Sequence, residues 1–353
     1  MNEILHYLNA NYHGRNLNQN ILASSEYSYE HQRVLYQLQK CCDEFEQRRI
    51  ATQCQNKPRI FFLYHVGIKN IRIDATGIQD PLKLQKLQPT YTKLVLAALT
   101  RISKIAKPYD LIISILDTNL KTFIDDQILN EKLSFKNSIV LLDGSTKEAE
   151  LTNWNRFTLW TYLAQYMGSK ETFSDCTFFS IDGDYIPSQA ILLGDPQNHN
   201  TDIVFTTNTD SYPQWAINEG FLSFKTNQAA YKYFSICQNM YEAFCLDKTV
   251  LDSWKNPKIW WGSQACLMLP LFKFNDPDSE LEETKKVIKL KDQKISITRM
   301  SGNIVNSPPD ELFKNKNWSL KNSKCYHFTG YYKRTKECNS FLDYCINEEQ
   351  MYR

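Results

Sequence analysis

The segment Phe178-Phe179-Ser180-Ile181-Asp182-Gly183-Asp184 runs an apolar stretch straight into two aspartates separated by one glycine. A carboxylate left unpaired at the end of a buried strand is costly. Two of them close together need a cation between them or strongly raised pKa values. Gly183 lets the backbone turn so that both side chains converge, and it permits close approach of a ligand. Such oxygen ligands suit Mg2+ or Mn2+, ions usually held by one or two carboxylates together with substrate phosphates. A second D-x-D, Asp276-Pro277-Asp278, sits among acids and lysines in FKFNDPDSELEETKK and reads as a solvated turn.

Far downstream, His327-Phe328-Thr329-Gly330-Tyr331-Tyr332-Lys333 offers the complementary chemistry. Imidazole can complete a Mn2+ shell, Gly330 can present a backbone N–H, and Lys333 can neutralise phosphate charge. A histidine in an apolar stretch is also commonly a packed core residue, so His327 gains weight only beside the aspartates.

The elements that must position these groups alternate between strand and helix. Residues 24–49 predict a helix, with Val34, Leu35, Leu38, Cys41, Cys42 and Phe45 at three- and four-residue spacing. Strands are predicted at Ile60–Val66, Leu111–Leu116, Ile139–Leu142 and Cys176–Ile181, with helices at Tyr91–Ile105 and Trp154–Tyr166 between them. Short, nearly all-apolar strands alternating with helices predict a parallel sheet covered on both faces. Asp117, Asp143 and Asp182 close three of those strands, and ligands of open α/β sheets bind beyond such carboxyl ends. Further on, Asp202–Thr207 and Phe221–Phe224 read as strands and Gln228–Phe244 as a helix, while 275–294 reads as a polar surface insertion.

Asp-Gly-Asp closing a strand, followed far downstream by H-F-x-G-x-x-K inside an α/β frame, resembles the retaining, metal-dependent GT-A glycosyltransferases. Glycogenin and the lipopolysaccharide galactosyltransferases belong to that class. The resemblance implies a Rossmann-like mixed sheet flanked by helices over roughly residues 59–334. It implies Asp182, Asp184 and His327 as metal ligands, Asp182 also at the donor's ribose, and Gly183, Gly330 and Lys333 around the diphosphate. AINEGFLSFK is similar to the family's N-x-G segment and implies Asn218 and Gly220 near the donor sugar. WWGSQACL is similar to the segment carrying an Asp-Gln pair at the anomeric carbon; Gln264 matches the glutamine, and Ser263 stands where the aspartate would be. The proline-tryptophan that often follows the family lysine is replaced by Arg334-Thr335.

The implied reaction moves a sugar from a nucleotide-diphosphate donor, a UDP-sugar, to a glycan, a lipid-linked acceptor or a protein. Gln264 would support the positively charged sugar in a retaining reaction. An inverting reaction would need a base, for which Glu219 is the first candidate. Tyr64 or His65 would stack on the base and Asp117 would bond the nucleoside. Trp254, Trp260, Trp261, Tyr331 and Tyr332 would suit a sugar-stacking acceptor cleft as well as a packed core. Residues 1–57 lie outside the resemblance and are expected to form a helical extension that bears on acceptor choice, with 58–353 as the transferase domain. Nucleotidyl transfer and a catalytically silent sugar-nucleotide binder are the alternatives; the former usually carries a Gly-rich basic loop early in the chain, and none follows Val66.

The bulk properties agree with this frame. The chain has 353 residues, 42% of them hydrophobic and 23% charged, enough to bury a sizeable core. A net charge of +2 argues against wholesale binding of nucleic acid. The longest apolar runs are far short of a membrane span, and the N-terminus lacks a signal-peptide pattern, so a cytoplasmic protein is expected, with peripheral membrane association still compatible. Ten cysteines without a C-x-x-C predict free, mostly buried thiols.

Overall fold

The structure is a computed structural model that describes residues 25–66, 81–129, 138–145, 149–207, 217–241, 262–273, 285–290, 293–310, 324–328 and 336–347. In chain order its elements begin with helix α1 (Ser25–Ala51), strand β1 (Ile60–His65), α2 (Pro81–Ile105) and β2 (Leu111–Leu116). They continue through α3 (Thr118–Leu129), β3 (Ser138–Asp143), α4 (Ala149–Gly168), β4 (Thr177–Asp182) and β5 (Tyr185–Ile186). The second half holds β6 (Ile203–Thr207), β7 (Ile217–Lys225), α5 (Gln228–Tyr241), α6 (Gly262–Lys273), β8 (Lys285–Leu290), β9 (Gln293–Met300), α7 (Gly302–Val305), β10 (Tyr326–His327) and α8 (Lys336–Asn347).

Eight strands form one sheet in the order β3-β2-β1-β4-β7-β6-β9-β8, and β5 pairs with β10 in a second, two-stranded sheet. Strands β1 to β4 run parallel, β6 and β9 run with them, and β7 and β8 run against them. The expected mixed α/β sheet flanked by helices is therefore what the chain forms.

The apolar strands are apolar because both faces are covered. Ile60, Phe62 and Tyr64 of β1 point into one core, together with residues of α1, α4, α5 and α6. Phe61 and Leu63 point into the other, beneath α2, α3 and α8. Helix α1 contributes Val34, Leu38, Cys42 and Phe45 to the first core, all buried. Burying a side chain such as Phe45 stabilises by roughly 1.5–3 kcal/mol. Seven of the nine described cysteines are buried, and all nine are free, in line with their composition-based reading.

Two expectations need correction. Residues 285–290 within the presumed surface insertion form β8, an edge strand with lysines at 285, 286 and 289. Lysine-rich edges discourage further strand pairing, and that charge is what made the segment look like a loop. Helix α2 begins at Pro81, ten residues before the expected start at Tyr91, because proline is well suited to the first turn.

Candidate metal and donor site

Asp182 is the last residue of β4, and Gly183 N donates to Tyr64 O (3.1 Å), extending the β1–β4 ladder by one step. A Cβ on Gly183 would lie 2.3 Å from His65 Cβ, so only glycine allows this approach. The turn delivers Asp184 to the start of β5. There His327 pairs with Tyr185 across the small sheet, and Phe328 N donates to Asp184 O (2.8 Å). A two-residue strand from the far end of the sequence thus sets the imidazole against the Asp-Gly-Asp turn.

The ligand atoms of Asp182, Asp184 and His327 all lie within 4.8 Å of one another. His327 Nε2 stands 3.1 Å from Asp184 Oδ1 and 3.9 Å from Asp182 Oδ2. Two carboxylates and one imidazole converging on one point are a donor set that Mn2+ or Mg2+ would accept. The residues present fit such an ion.

Behind the acids lies a cation that sequence reasoning missed. Arg156 of α4 is 6% exposed, and its Nη2 stands 2.6 Å from Asp182 Oδ1 and donates to Glu219 O at 3.0 Å. Its Nη1 reaches Glu219 Oε2 at 3.5 Å. The guanidinium carbon also lies 4.9 Å from the Trp160 ring and 5.6 Å from the Tyr64 ring. Burial opposes the charge on Arg156, and the Asp182 and Glu219 carboxylates overcome that and hold its pKa above the ordinary value. The only signal in the sequence was a lone arginine inside the otherwise weakly charged stretch TNWNRFTLWTYLAQYM.

Glu219 reaches the site through an irregularity in β7. Phe205 pairs with Leu222 but Thr206 pairs with Asn218, so Glu219, Gly220 and Phe221 are extra on the β7 side. Bulges of this kind re-aim side chains beside sites. Asn218 Oδ1 accepts from Gly220 N (2.8 Å) and sets the turn. A Cβ on Gly220 would lie 2.4 Å from His327 Nδ1, so glycine also permits the close approach on this side of the site.

The remaining predicted residues divide. Tyr64 is buried beneath Arg156, and burial pushes its hydroxyl pKa up. His65 ends β1 with its ring 5.2 Å from Tyr91. Asp117 is buried, and its Oδ1 accepts from Leu120 N (2.9 Å), which makes it the N-cap of α3. Gln264 lies half-buried in the first turn of α6, a helix packed on β7. Gly330, Lys333, Asp276, Asp278, Trp254, Trp260, Trp261, Tyr331 and Tyr332 lie outside the described residues, as does the side chain of Ser263.

No family model matches this chain, and no curated protein is significantly similar to it. Among solved structures it is similar to the glycosyltransferase GlyE of Streptococcus pneumoniae TIGR4, at 11% identity and a TM-score of 0.43, over 84% of this chain and 64% of that one. It is similar to the galactosyltransferase LgtC in complex with donor and acceptor sugar analogs, at 9% identity and a TM-score of 0.42, over 81% and 95%. It is also similar to the inositol-1-phosphate CTP transferase of T. maritima, at 9% identity and a TM-score of 0.39, over 83% and 98%. Each of these TM-scores is below 0.5. Among the described residues no helix is long and apolar enough to cross a membrane.

Proposed function

We propose that this chain is a metal-dependent glycosyltransferase of the retaining GT-A type, using a UDP-sugar and a glycan, glycolipid or protein acceptor. The observation that carries the reading is the convergence of Asp182, Asp184 and His327 at the carboxyl end of β4. In this reading the three side chains hold Mn2+ or Mg2+, and Lys333 and the Gly330 backbone complete the diphosphate cradle. The bound cation supplies electrostatic stabilisation of the negative charge that develops on the departing diphosphate. Arg156 pairs with Asp182 Oδ1 and fixes the side chain, so one oxygen is anchored while the other stays available to a ligand. Gln264 and Asn218 face the donor sugar. Glu219 already shares Arg156 with Asp182, which favours retention, a route in which no carboxylate has to act as base. Residues 1–57 form the extension and 58–353 the transferase portion, with α1 closing the face of the sheet opposite α2.

The test is nucleotide release by the purified protein from a panel of nucleotide sugars, with Mn2+ or with EDTA. Release that needs the cation is expected with at least one donor. Asp184→Asn is expected to lower it by more than the 10–100-fold that loss of an outer-shell partner causes, whereas Asp278→Asn leaves it intact. Equal loss from both variants would mean that the wrong pair of aspartates has been assigned. Pyrophosphate release from a nucleoside triphosphate would shift the reading to nucleotidyl transfer, and inertness towards every donor would sink it.

A further inference from the structure

Arg156 holds Asp182 less fully than its chemistry allows. Its Nη2 stands 2.6 Å from Oδ1 of that carboxylate, while its Nε is buried without a hydrogen-bond partner. A guanidinium carries five donors in a planar fork, and beside a carboxylate it frequently takes both oxygens at once. Nε and Nη2 together would form such a pair. It would occupy Asp182 Oδ2, the oxygen that lies 3.9 Å from His327 Nε2.

What diverts the fork is Glu219. Nη2 also donates to Glu219 O at 3.0 Å, and Nη1 reaches Glu219 Oε2 at 3.5 Å. The two side chains are equally enclosed, each 7% exposed. With Nη2 held between Asp182 Oδ1 and the Glu219 carbonyl, the remaining freedom of the plane is a swing about that nitrogen. The Nη1 contact fixes the swing. Trp160 and Tyr64 attract the charge from 4.9 and 5.6 Å, but attraction to a ring face does not choose which nitrogen meets which acid.

The bulge in β7 makes this arrangement possible. In a regular strand the carbonyl points along the sheet to a neighbouring strand, and the side chain stands roughly perpendicular to the sheet. Glu219 turns both acceptors to one guanidinium because it is an extra residue, between Asn218 paired with Thr206 and Leu222 paired with Phe205.

We propose that Glu219 is a positioning residue that holds Arg156 to one oxygen of Asp182 and so keeps the other oxygen open. That the open oxygen serves a cation rests on the metal-site reading above; the restraint on Arg156 does not. The role needs an acceptor at position 219 and no proton transfer, which separates it from that of a base.

The experiment combines crystal structures of metal-free variants with Mn2+ titration followed by electron paramagnetic resonance of the free ion. In Glu219→Leu, Arg156 is expected to take both oxygens of Asp182, and the Kd for Mn2+ is expected to rise about 10–100-fold. Glu219→Gln keeps an acceptor for Nη1, and is expected to retain the one-oxygen contact and a Kd within a few-fold of the original. Combining Glu219→Leu with Arg156→Leu is expected to recover affinity relative to Glu219→Leu alone. Replacing a buried ion pair whole by apolar residues is often tolerated. A Glu219→Leu structure with Arg156 still on one oxygen overturns the proposal, and so does a double variant no tighter than Glu219→Leu. Should Glu219→Leu fail to fold, a Glu219→Gln protein that binds Mn2+ about tenfold more weakly, or whose Arg156 grips both oxygens, overturns it as well. If the unsubstituted protein binds no Mn2+, the metal reading falls, and the position of Arg156 in the variant structures alone decides the role of Glu219.

Discussion

Asp117 and Asp143 sit at the carboxyl ends of β2 and β3 as Asp182 sits at the end of β4, yet the two regions treat their carboxylates in opposite ways. At the β2–β3 side the chain supplies the donors itself. Asp117 accepts from Leu120 N, and Asp143 accepts from Ser145 N (2.9 Å) and the Thr118 hydroxyl (3.0 Å), with Arg33 of α1 3.7 Å away. At the β4 side Asp182 and Asp184 face each other and an imidazole, and Arg156 engages Asp182 from behind. A strand-end aspartate is a candidate ligand when carboxylates converge, and a structural cap when backbone N–H groups and hydroxyls already fill its lone pairs. Position along the strand does not distinguish the two.

The sharpest way to break this contrast is to remove Arg156. Arg156→Leu would leave the buried Glu219 and the half-buried Asp182 without their cationic partner, and is expected to cost about 3–5 kcal/mol in urea unfolding. A loss under about 1 kcal/mol would show that the two carboxylates do not depend on the guanidinium. Next in size is Asp117→Ala, expected to cost about 1 kcal/mol as a lost N-cap while leaving Mn2+ binding unchanged. Weakened Mn2+ binding in that variant would erase the distinction between the two ends of the sheet.

The smallest effect is the most diagnostic in its pH dependence. Burial alone would raise the pKa of Asp143, but the Ser145 N–H, the Ser145 and Thr118 hydroxyls and Arg33 outweigh it and hold the carboxyl below the ordinary value. A lowered folded-state pKa contributes stability that is present above the unfolded carboxylate value, about 3.9, and is lost as pH falls through the folded one. Asp143→Asn should therefore melt below the unsubstituted protein at pH 7, by up to about 1 kcal/mol. The gap should close as the pH drops below about 4. A gap that stays constant with pH would mean that the charge of Asp143 contributes nothing.

Much of this was legible beforehand, and the legible part is local. Two-sided burial writes itself as LIISIL and IFFLYH, helical faces appear as three- and four-residue spacing in α1, and Asp182-Gly183-Asp184 announces itself by ending such a strand. Strand β8 escaped because an edge strand shows water one side and carries lysines there. That Asp117 caps α3 was not legible, because capping and ligation call for the same residue type at the same place.

What the amino-acid order alone determined, then, was the layered α/β frame and the pair of aspartates where a strand stops, since both follow from neighbours in the chain. Only the tertiary structure decided which acids remain open to a ligand. It brought Arg156 beneath Asp182, set His327 against Asp184 through a two-residue strand, and bulged Glu219 and Gly220 into the site. Those contacts join residues far apart in the chain, and charge, donor count and close packing between them leave no periodic trace in sequence.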